Sequence, residues 1–233
     1  MKEKIIVGEQ DIKLDLIDSF PNHPYHVFDD VDMEELVASI KANGLLNPIV
    51  VRNKSDGRYE LISGHRRKRA YEILKISEIR AIVVDVDDNE AVIMMIDSNC
   101  QRSKILPSEK AFSYKMKLDA IKRQGKRTDL TCDKVEHKSK KSREIVGVQT
   151  GESGAQVARY IRLTNLVPEL LEFVDSGRMK MQPAIELSYL DEESQRDLVD
   201  IIDDTDVSPH SHKPSECERR LITENLPMNL LQK

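Results

Sequence analysis

The sequence predicts a small mixed-sheet α/β domain that is followed by an all-α domain with a helix-turn-helix. Short β-rich runs alternate with helical patterns in the first part of the chain, without the long βαβ repeats of a doubly wound sheet. After Pro107 the recognisable patterns are helical. The length of 233 residues suits one α/β domain and one smaller helical module. We place the α/β domain at residues 1–105, the helical domain at 106–206 and a flexible tail at 207–233.

The β-rich runs come first. The alternation of Ile12, Leu14 and Leu16 predicts a half-buried strand, and the proline-punctuated stretch FPNHPYHVFDD predicts a loop. The runs PIVVR and YELI are separated by NKSDG, which indicates a hairpin. The run IRAIVVDV predicts one more strand. Together these strands form the predicted mixed sheet.

Helical patterns lie between and after these strands. Asp32 and Glu35 form a capping-box pattern at the beginning of a helix that Gly44 ends. Further helices are predicted from Asn89 to Asp97 and from Pro107 to Gln124. The apolar face of the first helix consists of Met33, Leu36, Val37 and Ile40.

The composition indicates the kind of hydrophobic core and the cellular compartment to expect. Hydrophobic residues make up 39% of the chain and charged residues 33%, with no Trp and four Phe, which predicts small aliphatic cores. No apolar run has the length of a membrane span, and the first residues lack the apolar region of a signal peptide. The three cysteines lack C-x-x-C spacing, which is typical of reduced thiols. We therefore expect a cytoplasmic protein without a membrane partner.

The net charge of −5 conceals an uneven distribution. Lysines and arginines crowd between Lys122 and Arg143, whereas acids dominate from Glu186 to Asp206. Such asymmetry is typical of a chain in which one surface meets a polyanion. A basic run alone is more often a solvated, flexible loop, so the run by itself does not decide the function.

The stretch ELISGHRRKRAYEIL predicts an anion site at the start of a helix. Ser63 is suited to be the N-cap, and Gly64 lets the backbone turn tightly and lets a ligand approach. The first amides of the helix and the side chains of Arg66, Arg67 and Arg69 are expected to converge on a phosphate. Arginines on an exposed first turn can instead pair with surface carboxylates. The helix is anchored by Ala70, Ile73 and Leu74.

A second polar stretch, MMIDSNCQRSKILPSEKA, lies where one helix ends and the next begins. Its oxygen-bearing side chains suit a hard cation such as Mg²⁺, and its amide and guanidinium groups suit a phosphate or a base. A cation beside a phosphate site implies a nucleotide, although an ordinary polar helix end would look the same. These side chains belong to Asp97, Ser98, Asn99, Gln101 and Arg102.

The stretch SREIVGVQTGESGAQVARYIRL predicts a helix-turn-helix at about residues 142–163. Gly147, Gly151, Val157 and Tyr160 have the spacing with which two helices pack across a short turn. The second helix, about Gly154 to Leu163, is expected to bury Val157 and Ile161. Its polar face and the preceding basic run suit base and phosphate contacts, although a helical hairpin with a charged exterior remains an alternative. The expected DNA-binding residues are Ser153, Gln156, Arg159, Arg162, Lys140, Lys141 and Arg143.

These motifs together resemble the ParB-type chromosome and plasmid partition proteins. GHRRKRA is similar to the family's Gly-x-Arg-Arg phosphate motif, SNCQR to its Glu-Asn-x-Gln-Arg motif, and HPYHVF to its Gln-Pro-Arg-x-x-Phe loop. The stretch NGLLNPIVVR and the helix-turn-helix also fall in the family order, so the resemblance covers about Ile12 to Leu190. It implies a sulfiredoxin-like nucleotide-binding domain and a dimer that loads at a centromere-like site on double-stranded DNA.

The resemblance further implies a clamp gated by CTP and Mg²⁺, a ParA-like ATPase partner and association with the nucleoid. Asn99 would help to place the metal. Hydrolysis of CTP is left open, because the chain departs from the family where His23 and Ser98 replace Gln and Glu. The implied nucleotide-binding residues are Gly64, His65, Arg66, Arg67, Ser98, Asn99, Gln101 and Arg102.

Other departures leave alternatives open. Tyr25 stands where the family has an arginine, and His65 stands where it has an acid. A DNA-binding transcriptional regulator that ignores nucleotides and keeps a vestigial pocket is therefore the alternative. Sulfiredoxin chemistry is disfavoured, because Gly64 occupies the position of the required cysteine. The tail is too short for the family's dimerisation domain, and a zinc site from its His210, His212 and Cys217 is less expected than disorder.

Overall fold

The structure is a computed structural model that describes the backbone of residues 5–100, 102, 105–127 and 135–205. The chain divides into two compact units, Met1–Ile161 and Arg162–Lys233. The first unit holds a sheet with helices on both faces and the larger part of the helix-turn-helix, and the second holds short helices. This arrangement confirms the predicted class of a mixed α/β domain followed by a helical region. The predicted domain boundaries stay predictions.

Five strands form one mixed sheet in the order β1-β5-β3-β4-β2. The predicted hairpin is confirmed, because β3 and β4 pair antiparallel with Val51 opposite Leu61. The run IRAIVVDV forms β5, which pairs parallel with β3 and antiparallel with β1. The strands are β1 Ile5–Lys13, β2 Ile17–Asp18, β3 Ile49–Asn53, β4 Tyr59–Ser63 and β5 Glu78–Asp85.

The predicted strand through Leu14 and Leu16 is wrong. Lys13 ends β1, and Leu14–Leu16 form a short 3-10 helix before β2. The reason is topological, since β1 and β2 lie at opposite edges of the sheet and the chain must leave the sheet between them. Ile12 is buried as the alternation predicts, but Leu16 is exposed.

Nine helices occur among the described residues. The predicted helices at Asn89 to Asp97 and Pro107 to Gln124 are confirmed, and each extends beyond its predicted end. Within the described ranges, no helix is both long and apolar enough to cross a membrane. The helices are α1 Val31–Asn43, α2 His65–Ile73, α3 Asp88–Asn99, α4 Pro107–Arg127, α5 Val135–Thr150, α6 Gly154–Leu163, α7 Pro168–Asp175, α8 Met181–Leu187 and α9 Glu192–Thr205.

The first helix begins two residues earlier than its sequence suggests. Asp30 is the N-cap of α1, and its Oδ1 accepts a hydrogen bond of 2.9 Å from the backbone N–H of Met33. The predicted capping box of Asp32 and Glu35 is therefore wrong, because both residues lie inside the helix. The end at Gly44 is confirmed, since this glycine has φ of +72° and donates to the Ile40 carbonyl.

The sheet separates two apolar cores. Adjacent side chains of β4 point to opposite faces, so Leu61 packs with α1 and α2 while Ile62 packs with α3. On α2, Ala70 and Tyr71 are buried, whereas the predicted packing residue Ile73 is 41% exposed. The two cores hold the start of α2 and the end of α3 in place around the loop that precedes α1.

Candidate functional site

The turn between β4 and α2 requires a glycine. Gly64 has φ of +105°, and a Cβ at this position would lie 2.6 Å from Cγ2 of Ile49. Gly64, and not the predicted Ser63, is the N-cap, because Ser63 still belongs to β4. The first bond of this turn runs from the Lys68 N–H to the Gly64 carbonyl, so the three preceding amides have no partner in the helix. An anion fits such a turn.

The three arginines of α2 do not converge as predicted. Arg66 reaches Oδ1 of Asp30 at 3.3 Å and lines a cleft beside the turn. Arg69 makes a two-pronged ion pair with Asp29, with distances of 2.6 and 3.0 Å. The alternative of pairing with surface carboxylates therefore describes Arg69 correctly.

Arg67 is directed at the backbone. Its Nη1 donates hydrogen bonds of 2.6 Å to the carbonyl oxygens of Asn47 and Pro48, which lie just before β3. Burial lowers the pKa of this guanidinium. In this structure Arg67 orders the loop before β3, and its expected contact with a nucleotide stays a prediction.

Two histidines stack where α2 begins. The ring centroids of His23 and His65 lie 3.6 Å apart at an interplanar angle of 33°. Burial lowers the pKa of His23, and burial with the nearby His23 and Lys68 lowers the pKa of His65 to about 3. Both rings are therefore neutral near physiological pH. The sequence identified both residues as departures from the family, but their contact could not be read from it.

The end of α3 presents its polar groups in a different way from the prediction. Asn99 Nδ2 and Ser98 Oγ both donate to the Met95 carbonyl at 2.8 Å, which leaves Asn99 Oδ1 available to a ligand. Asp97 is not available, because its carboxylate forms an ion pair with the buried ammonium of Lys117 on α4. In the described part of the chain, no three His, Cys, Asp or Glu side chains cluster as metal ligands.

Arg102 lines the cleft, with its guanidinium carbon 5.9 Å from the ring centroid of Tyr25. The expected partner Gln101 and the tail residues His210, His212 and Cys217 lie outside the described residues. Arg66 and Arg102 belong to two different sequence motifs, GHRRKRA and SNCQR, and the structure brings both to one cleft.

The cleft has a volume of about 630 Å³, which is within the range of small-molecule sites. Arginine and lysine side chains and carboxylates both line it, so it suits a ligand with anionic and hydrogen-bonding parts. Several residues that line the cleft were not identified from the sequence. The lining includes Tyr25, Arg66, Arg102, Glu109, Lys110 and Thr150.

Glu109 is a buried wall of the cleft. Its carboxylate accepts hydrogen bonds from the backbone N–H groups of His26, at 2.7 Å, and Leu106, at 3.1 Å. It therefore joins the loop before α1 to the start of α4. The sequence does contain a signal for the second bond, because Pro107 followed by an acid is typical of a helix start.

Two helices joined by a short turn, α5 and α6, occupy the stretch in which the helix-turn-helix was predicted, and its predicted bounds stay a prediction. Gly147 is required, because a Cβ there would lie 2.5 Å from the Glu152 carbonyl oxygen. Gly151 has φ of +73°, and Ser153 Oγ accepts a hydrogen bond of 3.1 Å from the Gln156 N–H. The helices pack through Val157, which is fully buried.

The residues expected to contact DNA differ in exposure and in their partners within the chain. Arg159 is exposed. Arg162 donates from Nε and Nη2 to the Ser188 hydroxyl and carbonyl, each at 3.0 Å. Gln156 and Arg143 are half-buried, and both have partners within the chain. The side chains of Lys140 and Lys141 lie outside the described residues.

Helix α4 connects the cleft with the helix-turn-helix. Lys110 lines the cleft and pairs with Glu152 in the turn at 3.2 Å, and its Nζ lies 5.2 Å from the ring centroid of Tyr160. Tyr114 also lines the cleft and meets Tyr160 edge to face at 5.6 Å. A change at the cleft wall therefore has a short physical route to helix α6.

Comparison with known proteins confirms the resemblance found in the sequence. Residues 1–100 match the ParB N-terminal domain family. The nucleoid occlusion protein of Listeria innocua is 32% identical over 179 residues, 76% of this chain and 57% of that protein. The chromosome-partitioning protein Spo0J of Thermus thermophilus is 33% identical over 175 residues, 75% of this chain and 58% of that protein. The chain thus spans somewhat less than three fifths of these relatives.

A solved structure shares the fold. The C-terminally truncated chromosome-partitioning protein ParB from Caulobacter crescentus, complexed to the centromeric parS site, has a TM-score of 0.50 and 24% identity. The match covers 85% of this chain and 94% of that one.

Proposed function

Residues 1–100 of this chain belong to the ParB N-terminal domain family, and from this premise we propose that the chain is a ParB-type partition protein that binds a centromere-like DNA site. The helix-turn-helix would read the site, with Arg159 facing the bases. We further propose that the cleft binds a nucleoside triphosphate, CTP by analogy with the family, and that this binding gates DNA engagement as a clamp. A homodimer, a ParA-like ATPase partner and association with the nucleoid belong to the same proposal.

The observation that carries the proposal is the position of α4. One side of this helix supplies Lys110 and Tyr114 to the cleft, and the same two side chains contact Glu152 and Tyr160 of the helix-turn-helix. A ligand in the cleft that moves Lys110 would disturb the turn before the reading helix. The arrangement supports nucleotide control of DNA binding because one helix belongs to both sites.

Within the cleft, the Gly64 turn and Arg66 would hold the phosphates, and Arg102 would cover them. Bound Mg²⁺ would neutralise phosphate charge, and the Asn99 Oδ1 is a suitable oxygen ligand for it. We propose binding without assigning turnover, because Ser98 replaces the family's glutamate and the neighbouring Asp97 is already paired with Lys117.

DNA binding tests this proposal. We would measure fluorescence anisotropy with a duplex that carries a relative's parS site and with a scrambled duplex, each with and without CTP and Mg²⁺. The comparison of the two duplexes measures recognition, and the comparison with and without nucleotide measures gating. We expect tighter binding to the parS duplex than to the scrambled duplex, and a change in its affinity when CTP and Mg²⁺ are added. Specific binding that ignores every nucleotide would favour the plain transcriptional regulator. Equal binding to both duplexes would contradict the partition function.

A further inference from the structure

Arg162, which the sequence predicts as a DNA contact, is engaged within the protein. Its Nε donates to the Ser188 hydroxyl and its Nη2 to the Ser188 carbonyl, each at 3.0 Å. The same guanidinium lies against the ring of Tyr189, with its central carbon 3.8 Å from the ring centroid. A hydrogen-bonded fork that also stacks on an aromatic ring fixes the direction of an arginine side chain more firmly than a single ion pair does.

Ser188 is the C-cap of α8, and Arg162 completes that cap. Ser188 is only 3% exposed, and its hydroxyl donates to the Ile185 carbonyl at 2.6 Å. The hydroxyl oxygen therefore accepts the hydrogen of Arg162 Nε with a lone pair. The last carbonyl groups of a helix carry partial negative charge, which a cation stabilises. Arg162 thus joins the last turn of α6 to the end of α8.

The segment that receives Arg162 is itself held in place. Gln195 of α9 is buried, and its Nε2 donates to the Leu190 carbonyl at 3.0 Å and to the Asn165 carbonyl at 3.1 Å. Its Oε1 accepts a hydrogen bond of 2.9 Å from the Val167 N–H. One side chain therefore ties the segment after α8 to the connection between α6 and α7. Arg162 has a fixed anchor, because residues 188–190 are bonded on both sides.

The chain around Ser188 is acidic, which disfavours a DNA phosphate at Arg162. Residues 183–193 include four acids and no lysine or arginine. A DNA backbone is repelled by such a segment. The guanidinium already has hydrogen-bond acceptors and a stacking partner there. The acids are Glu186, Asp191, Glu192 and Glu193.

Arg159 lies one turn before Arg162 on α6. Residues three positions apart are neighbours on a helix surface, so the rotation of α6 that directs Arg162 to Ser188 also sets the direction of Arg159. A side chain that recognises a specific partner must be held within about 0.5 Å of its productive position. Loosening the last turn of α6 would therefore weaken the base contact proposed for Arg159.

We propose that Arg162 and Tyr189 are positioning residues for the reading helix α6 and do not themselves contact DNA. They fasten the last turn of α6 to residues 188–190, so that Arg159 meets the bases in a fixed direction. This inference rests on the proposed DNA-binding function, and it assigns part of the sequence preference to a contact away from the DNA.

The exposed ring of Tyr189 gives the first test. Tyr189 is 67% exposed, so its removal leaves the core intact. We would measure fluorescence anisotropy of the full chain with the parS duplex and with the scrambled duplex. We expect Tyr189→Ala to lose about tenfold in affinity for the parS duplex and little for the scrambled duplex, because Arg159 loses part of its base contact. Tyr189→Phe is the matched control, which keeps the ring and should bind both duplexes as the wild type does.

Two substitutions of Arg162 separate positioning from phosphate contact. Arg162→Lys keeps the charge but loses the planar fork, so we expect it to lose affinity for the parS duplex as Arg162→Gln does. The slope of log affinity against log salt should stay at the wild-type value, whereas loss of a phosphate contact would lower it by about one. Combining Arg162→Gln with Tyr189→Ala should add little to the larger single loss, because both remove the same contact. Denaturant unfolding confirms first that each variant is folded.

The outcomes keep the inference apart from the function on which it rests. If the wild type prefers the parS duplex and Tyr189→Ala keeps the same ratio of the two affinities, the contact only stabilises the fold and the inference is overturned. A salt slope that falls in Arg162→Gln and returns in Arg162→Lys would also overturn it, as would an equal loss in Tyr189→Phe and Tyr189→Ala, because both results indicate contact with DNA. Equal binding of both duplexes by the wild type would overturn the proposed recognition of DNA, and the inference with it.

Discussion

The cleft and the helix-turn-helix differ in how their polar groups are satisfied. In the helix-turn-helix, Ser153 caps the second helix and the Glu152 N–H reaches the Gly147 carbonyl at 2.9 Å, which leaves Arg159 to face outwards. Around the start of α2, whose Arg66 lines the cleft, His23 and His65 hold buried Nε2 atoms without partners among the described residues. The turn of the helix-turn-helix thus satisfies its polar groups with its own atoms, whereas two buried nitrogen atoms near the cleft have no partner among the described residues.

The largest expected effects come from the glycines that shape the two regions. Gly64→Ala would place a Cβ 2.6 Å from the buried Ile49 side chain at φ of +105°. Gly147→Ala would place a Cβ 2.5 Å from a backbone oxygen, so the turn itself must shift. We expect each variant to lose roughly 2–4 kcal/mol in the free energy of unfolding, measured with denaturant, from overpacking and, at Gly64, from backbone strain.

Gly154→Ala is the matched control for these variants. The atoms nearest to its added Cβ lie at 3.4 Å or more, which is ordinary contact. We expect its free energy of unfolding to stay within about 0.5 kcal/mol of the wild type. A loss in Gly154→Ala as large as that in Gly147→Ala would show that the close packing described for the turn is wrong.

The ion pair between Asp97 of α3 and Lys117 of α4 gives the next largest effect. Lys117 is fully buried, whereas the side chain of Asp97 is 48% exposed. Asp97→Ala leaves a buried ammonium without its carboxylate, so we expect a loss of roughly 2–3 kcal/mol in the free energy of unfolding. Lys117→Met removes the buried charge itself, and we expect it to be near neutral. If both variants were equally destabilised, side-chain packing and not charge would explain the pair.

Arg159→Ala tests the reading motif. We expect a loss of about 1–3 kcal/mol in binding to the specific duplex and a smaller loss on a scrambled duplex, because an outward arginine can make a bidentate contact with guanine. Arg196→Ala is a suitable control, since this exposed arginine of α9 pairs with Glu192. An equal loss on both duplexes would assign Arg159 to phosphate contacts.

The smallest effect concerns the basic run before the reading motif. DNA affinity should fall steeply with salt, and Lys140→Gln should reduce the slope of log affinity against log salt by about one. The measurement is a salt series on both duplexes. A flat response in the wild type would support the alternative of a solvated loop.

The same comparison explains what could be predicted from sequence. The helix-turn-helix could be predicted because its packing residues Gly147, Val157 and Tyr160 lie close together in the chain, on two helices that a short turn joins. The cleft could be predicted only in part, because Tyr25, Glu109 and Thr150 meet there from distant segments. Local sequence patterns do not encode contacts between residues that are far apart in the chain.

The arginines of α2 show the same limit. Their spacing predicted a common anion site, but tertiary partners redirect two of them, Arg67 to the Asn47 and Pro48 carbonyls and Arg69 to Asp29. The Gly64 turn was predicted because a tight turn before a helix is a local requirement. The misplaced cap of α1 has a similar cause, since Asp30 and Asp32 are chemically equal candidates until the backbone selects one.

Nucleotide binding by the cleft is the most direct test of the proposed function. We would titrate the full chain with CTP, ATP, GTP and UTP in the presence of Mg²⁺ and measure binding by calorimetry. The same titrations of Arg66→Ala and Arg69→Ala compare two arginines of one helix. Only Arg66 lines the 630 Å³ cleft, whereas Arg69 is bound to Asp29 outside it. We expect the wild type to bind CTP, Arg66→Ala to bind it more weakly, and Arg69→Ala to keep the wild-type affinity. No binding of any nucleotide, or equal loss in both variants, would contradict it.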